Sequence, residues 1–223
     1  MKKIVLLMLI PIFIYASNFN ENVKINSKLT KTFLNKNVFK DFESYTNHKI
    51  NFYEIKKDSE LMKGIYALYF KKKTKKIDKY LATKAKTVTE KYSLPDYING
   101  FNHLSNSKSI YSAWVGARII NQYLMAFDDS GRYTNNQLKD IVNKYYPGYL
   151  DILMKNKVCY GYYLATRYYK SYNTKKSKYL QSLKTGYKIC KGENHQWLRK
   201  RMNMEYAQRV SYEKLIKNRH TNK

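Results

Sequence analysis

The stretch that most constrains the fold runs from Gly148 to Cys190. It reads GYLDILMKNKVCYGYYLATRYYKSY and then NTKKSKYLQSLKTGYKIC, two apolar- and tyrosine-rich runs separated by a basic break. Runs of this length at helical spacing, joined by a few polar residues, make two antiparallel helices. Cys159 and Cys190, the only cysteines, fall one in each arm. With a turn near Tyr172-Asn173 they lie ~20 and ~25 Å from it along antiparallel axes, a mismatch of roughly one helical turn. Tilt or a shifted turn closes that gap, and a disulfide is the expectation, with two separate buried thiols as the alternative. Such a bridge closes a loop of about 30 residues and stabilises by ~3–4 kcal/mol on the chain-entropy model.

The rest of the chain reads as further helices stacked on this pair. Phe33, Leu34, Val38, Phe39 and Phe42 suit one short amphipathic helix around Thr32 to Tyr45, after a loose lead-in. From Ser59, Leu61, Ile65, Leu68 and Tyr69 sit at helical spacing, and Ile77, Tyr80, Leu81, Ala85, Val88 and Tyr92 continue the pattern after Thr74. Ser93-Leu94-Pro95 stops that helix, and Asp96 to Ser107 is an Asn- and Ser-rich connector. A helix from about Lys108 to Phe127 buries Ile110, Trp114, Ala117, Ile120 and Leu124, and Asp128-Asp129-Ser130-Gly131 breaks it. Thr134 N-caps a shorter helix with Leu138, Ile141, Val142 and Tyr145, which ends at Pro147-Gly148. A last helix, His195 to Asn218, carries a weaker stripe through Trp197, Leu198, Met204, Ala207 and Leu215. No segment alternates as a strand does, so the expected class is all-α: stacked antiparallel helical hairpins, repeat-like or as an irregular bundle. The expected division is a signal peptide at 1–16, a lead-in at 17–58 and a helical domain at 59–223.

Two segments echo one another. Gly64-Ile-Tyr-Ala-Leu-Tyr-Phe-Lys-Lys-Lys-Thr-Lys-Lys and Gly161-Tyr-Tyr-Leu-Ala-Thr-Arg-Tyr-Tyr-Lys-Ser-Tyr-Asn-Thr-Lys-Lys share a small residue, late aromatics and a Thr-Lys-Lys turn. Lys-Tyr-Leu follows in both. In layout, from about Ser59 to Cys190, this resembles the tetratricopeptide and Sel1-like repeat families, though their consensus Leu-Gly pair and regular period are missing. The resemblance implies a scaffold that binds partners on a concave face.

Met1-Lys2-Lys3 is a positive start, Ile4 to Tyr15 an apolar run, and Ala16-Ser17-Asn18 a return to small and polar residues. That order is a secretory signal, with cleavage expected after Ala16 and export, in a bacterium to the periplasm. Its dozen or so apolar residues are too few to span ~30 Å of hydrocarbon, and no later segment is apolar enough to span. The formal charge is +27, from 43 Lys plus Arg against 16 Asp plus Glu. Such a surface attracts anions, although an AT-rich genome would also enrich lysine. Lys71, Lys72, Lys73, Lys75 and Lys76, and Lys175, Lys176 and Lys178, form basic clusters at hairpin turns. Stacked in register, those turns make one lysine-rich rim, and lysines around a helix N-terminus form an anion trap. Arg199, Lys200 and Arg201 begin a second basic surface on the last helix.

Catalytic signatures are weak. His48, His103, His195 and His220 lack metal-ligand spacing, and no cofactor motif is present. Glu193 with His195 reads as a turn, and Asp128 and Asp129 lack the spaced carboxylates of a calcium loop. The sequence therefore points to an exported, non-enzymatic scaffold that engages an acidic protein, anionic lipid head groups or a cell-wall polymer. A diverged cell-wall hydrolase is the alternative and requires Asp128, Asp129, Glu193 and His195 to converge. Nucleic acid rests on charge and on the Tyr-Lys interleaving from Tyr160 to Tyr179, and export argues against it.

Overall fold

The computed structural model describes residues 21–70, 94–124, 136–172 and 175–221, which form helices and short turns with no strand among them. In chain order these are α1 (21–28), α2 (Lys31–Phe33) with a π-helical turn at Leu34–Val38, α3 (Phe42–Thr46), α4 (Phe52–Lys57) and α5 (Ser59–Phe70). Then follow α6 (Leu94–Ser107), α7 (Ile110–Ile119) with a π turn at Ile120–Leu124, and α8 (Asn136–Lys155). The chain continues as α9 (Cys159–Arg167) with a π turn at Tyr168–Tyr172, α10 (Lys176–Ile189), a 3₁₀ turn at Cys190–Gly192, and α11 (Gln196–Thr221). The all-α expectation is met.

Short polar side chains set several starts. The Asn51 side chain accepts from the backbone N–H groups of Tyr53 and Glu54, and Asp58 Oδ1 accepts from Leu61 at 2.9 Å. Ser109 caps α7 by accepting from the Ser112 N–H, and Lys108, at φ 53°, reverses the chain just before it. Each such cap is worth ~1 kcal/mol.

Side-chain contacts fix how the helices run. Gly64 faces Leu104 and Gly100 faces Leu68, so α5 and α6 are antiparallel. Phe101 meets Tyr145 while Ser105 bonds Tyr149, an equal step along both helices, so α6 and α8 are parallel. Leu153 packs on Gly161 and Tyr146 on Tyr168, making α8 and α9 antiparallel. Tyr163 with Trp197 and Lys170 with Glu205 make α9 and α11 parallel. By these steps α5 and α9 point the same way, so Phe70 and Tyr172 end at the same side of the stack.

The centre of the core is α7. Tyr111, Ala113, Trp114, Val115, Gly116, Ala117 and Ile119 are all buried, so it is enclosed around its whole circumference. On one side Gly116 lies against the Tyr149 ring of α8. On the other, Phe39 and Phe42 from the N-terminal segment pack on Tyr111, and Phe42 also on Trp114. Leu29, Leu34, Val38, Phe42 and Ile55 are fully buried, so residues 21–57 belong to the core and hold several short helices where one was expected. Asp41, at φ 63°, is what divides the expected Thr32–Tyr45 helix in two.

Two other expectations differ. The Asn- and Ser-rich connector is helical, as α6, because burying Phe101 and Leu104 outweighs the poor helix propensity of its polar residues. Likewise α8 runs through Pro147 to Lys155, and the chain reverses instead at Lys157, φ 56°. An interior proline costs about 3 kcal/mol. Tyr145, Tyr146, Tyr149, Leu150 and Leu153, all buried on either side of it, each return ~1.5–3 kcal/mol only if the helix is continuous.

Cys159 and Cys190 are bonded, with Cα atoms 5.1 Å apart. The expected register mismatch disappears because α10 begins only at Lys176, so Lys175 belongs to the turn and the two arms are nearly equal. Leu183, Leu198 and Met202 enclose the bridge in a small second core.

Candidate functional site

The lysine-bearing turn between α9 and α10 is the one basic hairpin turn of the sequence reading that lies partly within the described residues. Lys175 occupies the N-cap position of α10 with no side-chain hydrogen bond to the helix, and Lys176 and Lys178 follow in its first turn. All three are exposed. Ammonium groups at the positive end of a helix repel it, by a few tenths of a kcal/mol each, unless an anion sits among them.

Beside this turn α11 passes α10 and leaves a groove of about 430 Å³. Tyr169 and Lys170 line it from the end of α9, Lys176 and Tyr179 from α10, and Glu205, Gln208, Arg209 and Tyr212 from α11. Lys170 Nζ is paired with Glu205 Oε2 at 2.7 Å and Arg209 Nε with Glu213 Oε1 at 2.9 Å. These two pairs neutralise the carboxylates at the groove and leave Lys175, Lys176 and Lys178 as the excess charge. Lys178 lies over the Tyr169 ring, 5.4 Å from its centre, and Arg209 over Tyr212 at 5.3 Å. Burial pushes the Tyr169 hydroxyl up to about 12, helped by the Asp151 carboxylate. Tyr179 is raised too, again by burial first, so both are neutral donors near pH 7. The result is a trough with tyrosine walls and a lysine rim.

The structure does not gather every basic residue here. Arg199, Lys200 and Arg201 are exposed in the first two turns of α11, beside the disulfide end of α10. Met202 lies against Gly186 whereas Tyr212 shares the groove with Lys176, so this second cluster, centred on Lys200, is about 18 Å away along the helix. Lys71, Lys72, Lys73, Lys75 and Lys76 lie outside the described residues, as do Asp128 and Asp129.

Of the residues considered for acid–base work, Glu193 and His195 are described; both have structural contacts, and His195 Nε2 is buried with no hydrogen-bond partner among the described residues. Glu193 is buried, and its Oε1 accepts from the backbone N–H of His195 at 3.1 Å. The His195 ring is stacked on Tyr45, centroids 3.9 Å apart. Tyr45 also touches Trp114, Tyr160 and Trp197, and its hydroxyl accepts from Trp197 Nε1 at 3.1 Å. This aromatic cluster ties α3 to α7, α9 and α11, and sequence reading missed it because Tyr45 lies outside any long periodic run. His103, placed in a connector by the sequence, sits on α6 and bonds Glu60 of α5 at 2.7 Å. Among the described residues no group of three or more His, Cys, Asp and Glu side chains is placed to hold a metal ion. No helix among them is long and apolar enough to cross a membrane.

Compared with known proteins, the chain matches no family model, no curated protein and no solved structure.

Proposed function

We propose that the protein is an exported, non-enzymatic helical scaffold that binds an acidic partner along the lysine rim and groove between α9, α10 and α11. The observation that carries this reading is the cation excess at Lys175, Lys176 and Lys178, which make no ion pair among the described residues and are set on a helix N-terminus without a side-chain cap, beside a trough of tyrosines. Carboxylates or phosphates of an acidic protein segment, an anionic lipid surface or a cell-wall polymer complement that rim. Export is supported by the charged, apolar and small-residue order at Met1 to Ser17 and by the buried Cys159–Cys190 bond, which persists in an oxidising compartment. The resemblance in the sequence to tetratricopeptide and Sel1-like repeats would imply a binding scaffold.

Retention on heparin and on anionic liposomes, measured from low to high salt, tests the reading. Binding should fall steeply as salt rises. Changing Lys175, Lys176 and Lys178 together to glutamate should abolish retention at salt concentrations where the parent still binds. Absent or salt-insensitive retention removes the electrostatic reading.

A further inference from the structure

Tyr187, near the end of α10, and Tyr206, in α11, lie face to face, with ring centres 4.1 Å apart and planes 6° from parallel. Aromatic pairs usually sit about 4.5–7 Å apart, so these two rings overlap more fully than most. With the planes at van der Waals contact, roughly 3.5 Å, the lateral offset is only about 2 Å. The other Tyr–Tyr contacts among the described residues differ in both respects. Tyr45–Tyr160, Tyr146–Tyr168, Tyr160–Tyr163 and Tyr168–Tyr169 have centres 4.9 to 6.3 Å apart and planes inclined by 28° to 85°.

Both rings of the pair are half-buried, and their hydroxyls reach solvent. Neither hydroxyl has a protein partner among the described residues, and neither is among the buried unpaired groups. Lys191 Nζ lies over the Tyr187 ring, 4.9 Å from its centre, and because Tyr206 occupies one face of that ring Lys191 covers the other. One-electron oxidation of a phenol, with loss of its hydroxyl proton, leaves a radical whose spin spreads onto the ring carbons ortho to oxygen, Cε1 and Cε2. Two such radicals couple carbon to carbon. The new bond forms perpendicular to both ring planes, because each coupled carbon first becomes tetrahedral. Face-to-face rings present that geometry from the start, whereas inclined rings must reorient within their packing.

We propose that Tyr187 and Tyr206 are an oxidative cross-linking site, forming an intramolecular dityrosine that ties α11 to α10. The oxidant is hydrogen peroxide acting through a haem peroxidase. It takes one electron and one proton from each phenol, and the peroxide is reduced to two waters. Coupling forms one Cε–Cε bond; each coupled carbon loses its hydrogen as a proton while each oxygen regains one, which restores both phenols. The chain loses two hydrogen atoms in all. Beyond Met202 no described side chain of α11 is buried, and part-exposed contacts such as Lys170–Glu205 hold that part of the helix. A bond at Tyr206 fixes it to α10, as the Cys159–Cys190 bond fixes α9. The formal charge of +27 keeps copies of the chain apart, which favours coupling within one chain over coupling between chains. This site is independent of the lysine rim and needs no acidic partner.

Treating the whole, disulfide-intact protein with a haem peroxidase and limiting hydrogen peroxide tests it, read by the blue fluorescence of dityrosine and by mass spectrometry of proteolytic peptides. The monomer should lose two hydrogen atoms, with Tyr187 joined to Tyr206 as the principal cross-link and a yield per chain independent of protein concentration. Tyr187→Phe and Tyr206→Phe, which keep the rings, should each cut the monomer's dityrosine at least tenfold with circular dichroism unchanged. Amide hydrogens of α11 beyond Met202 should exchange several-fold more slowly in the cross-linked chain. The proposal is overturned if the monomer forms no dityrosine, if another pair is the principal product, if either Phe variant cross-links like the parent, or if α11 exchanges alike before and after treatment.

Discussion

Two glycines, both helical and thirteen residues apart, should respond to the same substitution with opposite signs. Gly148 sits within α8 just after Pro147, is exposed, and a Cβ built there meets nothing within 4 Å. Gly161 lies in the first turn of α9, where a Cβ would come within 2.6 Å of Leu153 Cβ and 3.3 Å of its carbonyl carbon. Those are atoms that no side-chain rotation can move aside. Gly148→Ala should therefore gain ~0.5–1 kcal/mol from reduced backbone entropy. Gly161→Ala recovers at most that, against about 1–3 kcal/mol for overpacking a helix crossing. The net expectation for Gly161→Ala is a loss of about 1–2 kcal/mol. For a chain of this size those changes are roughly +1 to +4 °C for Gly148→Ala and −2 to −8 °C for Gly161→Ala. Urea denaturation read by far-UV circular dichroism, with thermal melts alongside, measures both. A Gly161→Ala variant as stable as the parent would refute the close α8–α9 crossing, and a destabilised Gly148→Ala would refute the helix running through Pro147.

Further outcomes follow from the same contacts. Removing the bridge with Cys159→Ala and Cys190→Ala together, or by reduction, should cost about 3–4 kcal/mol for a separation of 31 residues and lower the melting temperature by about 10 °C; a matched melt with and without reductant checks it. The Glu60 carboxyl is held below the usual carboxylate range, chiefly by its hydrogen bond to the His103 ring and despite partial burial. A lowered folded-state value gives stability that is present above the unfolded carboxylate pKa and is lost as pH falls through the folded one. Glu60→Gln should thus be less stable near pH 7, by no more than about 1 kcal/mol because the pair is part-exposed. The gap should close below about pH 4; urea unfolding from pH 7 to pH 3 shows whether it does.

How much of this was legible beforehand varied with the physics at each place. The α9–α10 hairpin and its disulfide could be read because helix rise and periodicity alone fix where the two cysteines fall. The start of α11 was also clear, since polar residues from Gly192 to His195 precede a long run. By contrast, α6 hid behind asparagines and serines, and only the partners of Phe101 and Leu104 on α5 make its helix worthwhile. Pro147 is a related case: its local penalty is legible in the sequence, whereas the burial of the five residues around it, which outweighs that penalty, is not. The N-terminal segment was illegible as core: its helices are shorter than a periodic signal, and Phe39, Phe42 and Tyr45 are ordered by α7, α9 and α11, far along the chain. At the candidate site the lysines of α10 were visible in the sequence. The groove beside them was not, because Lys170, Lys176 and Arg209 meet only through the packing of α11 on α9 and α10.

The most direct test of an acidic partner at this rim is a lysine-reactivity footprint with and without poly-L-glutamate at low salt, read by mass spectrometry. Lys175, Lys176 and Lys178 should be strongly protected, and the equally exposed Lys184 and Lys188 further along α10 should stay reactive. Uniform protection of all five, or protection of none, would contradict the account.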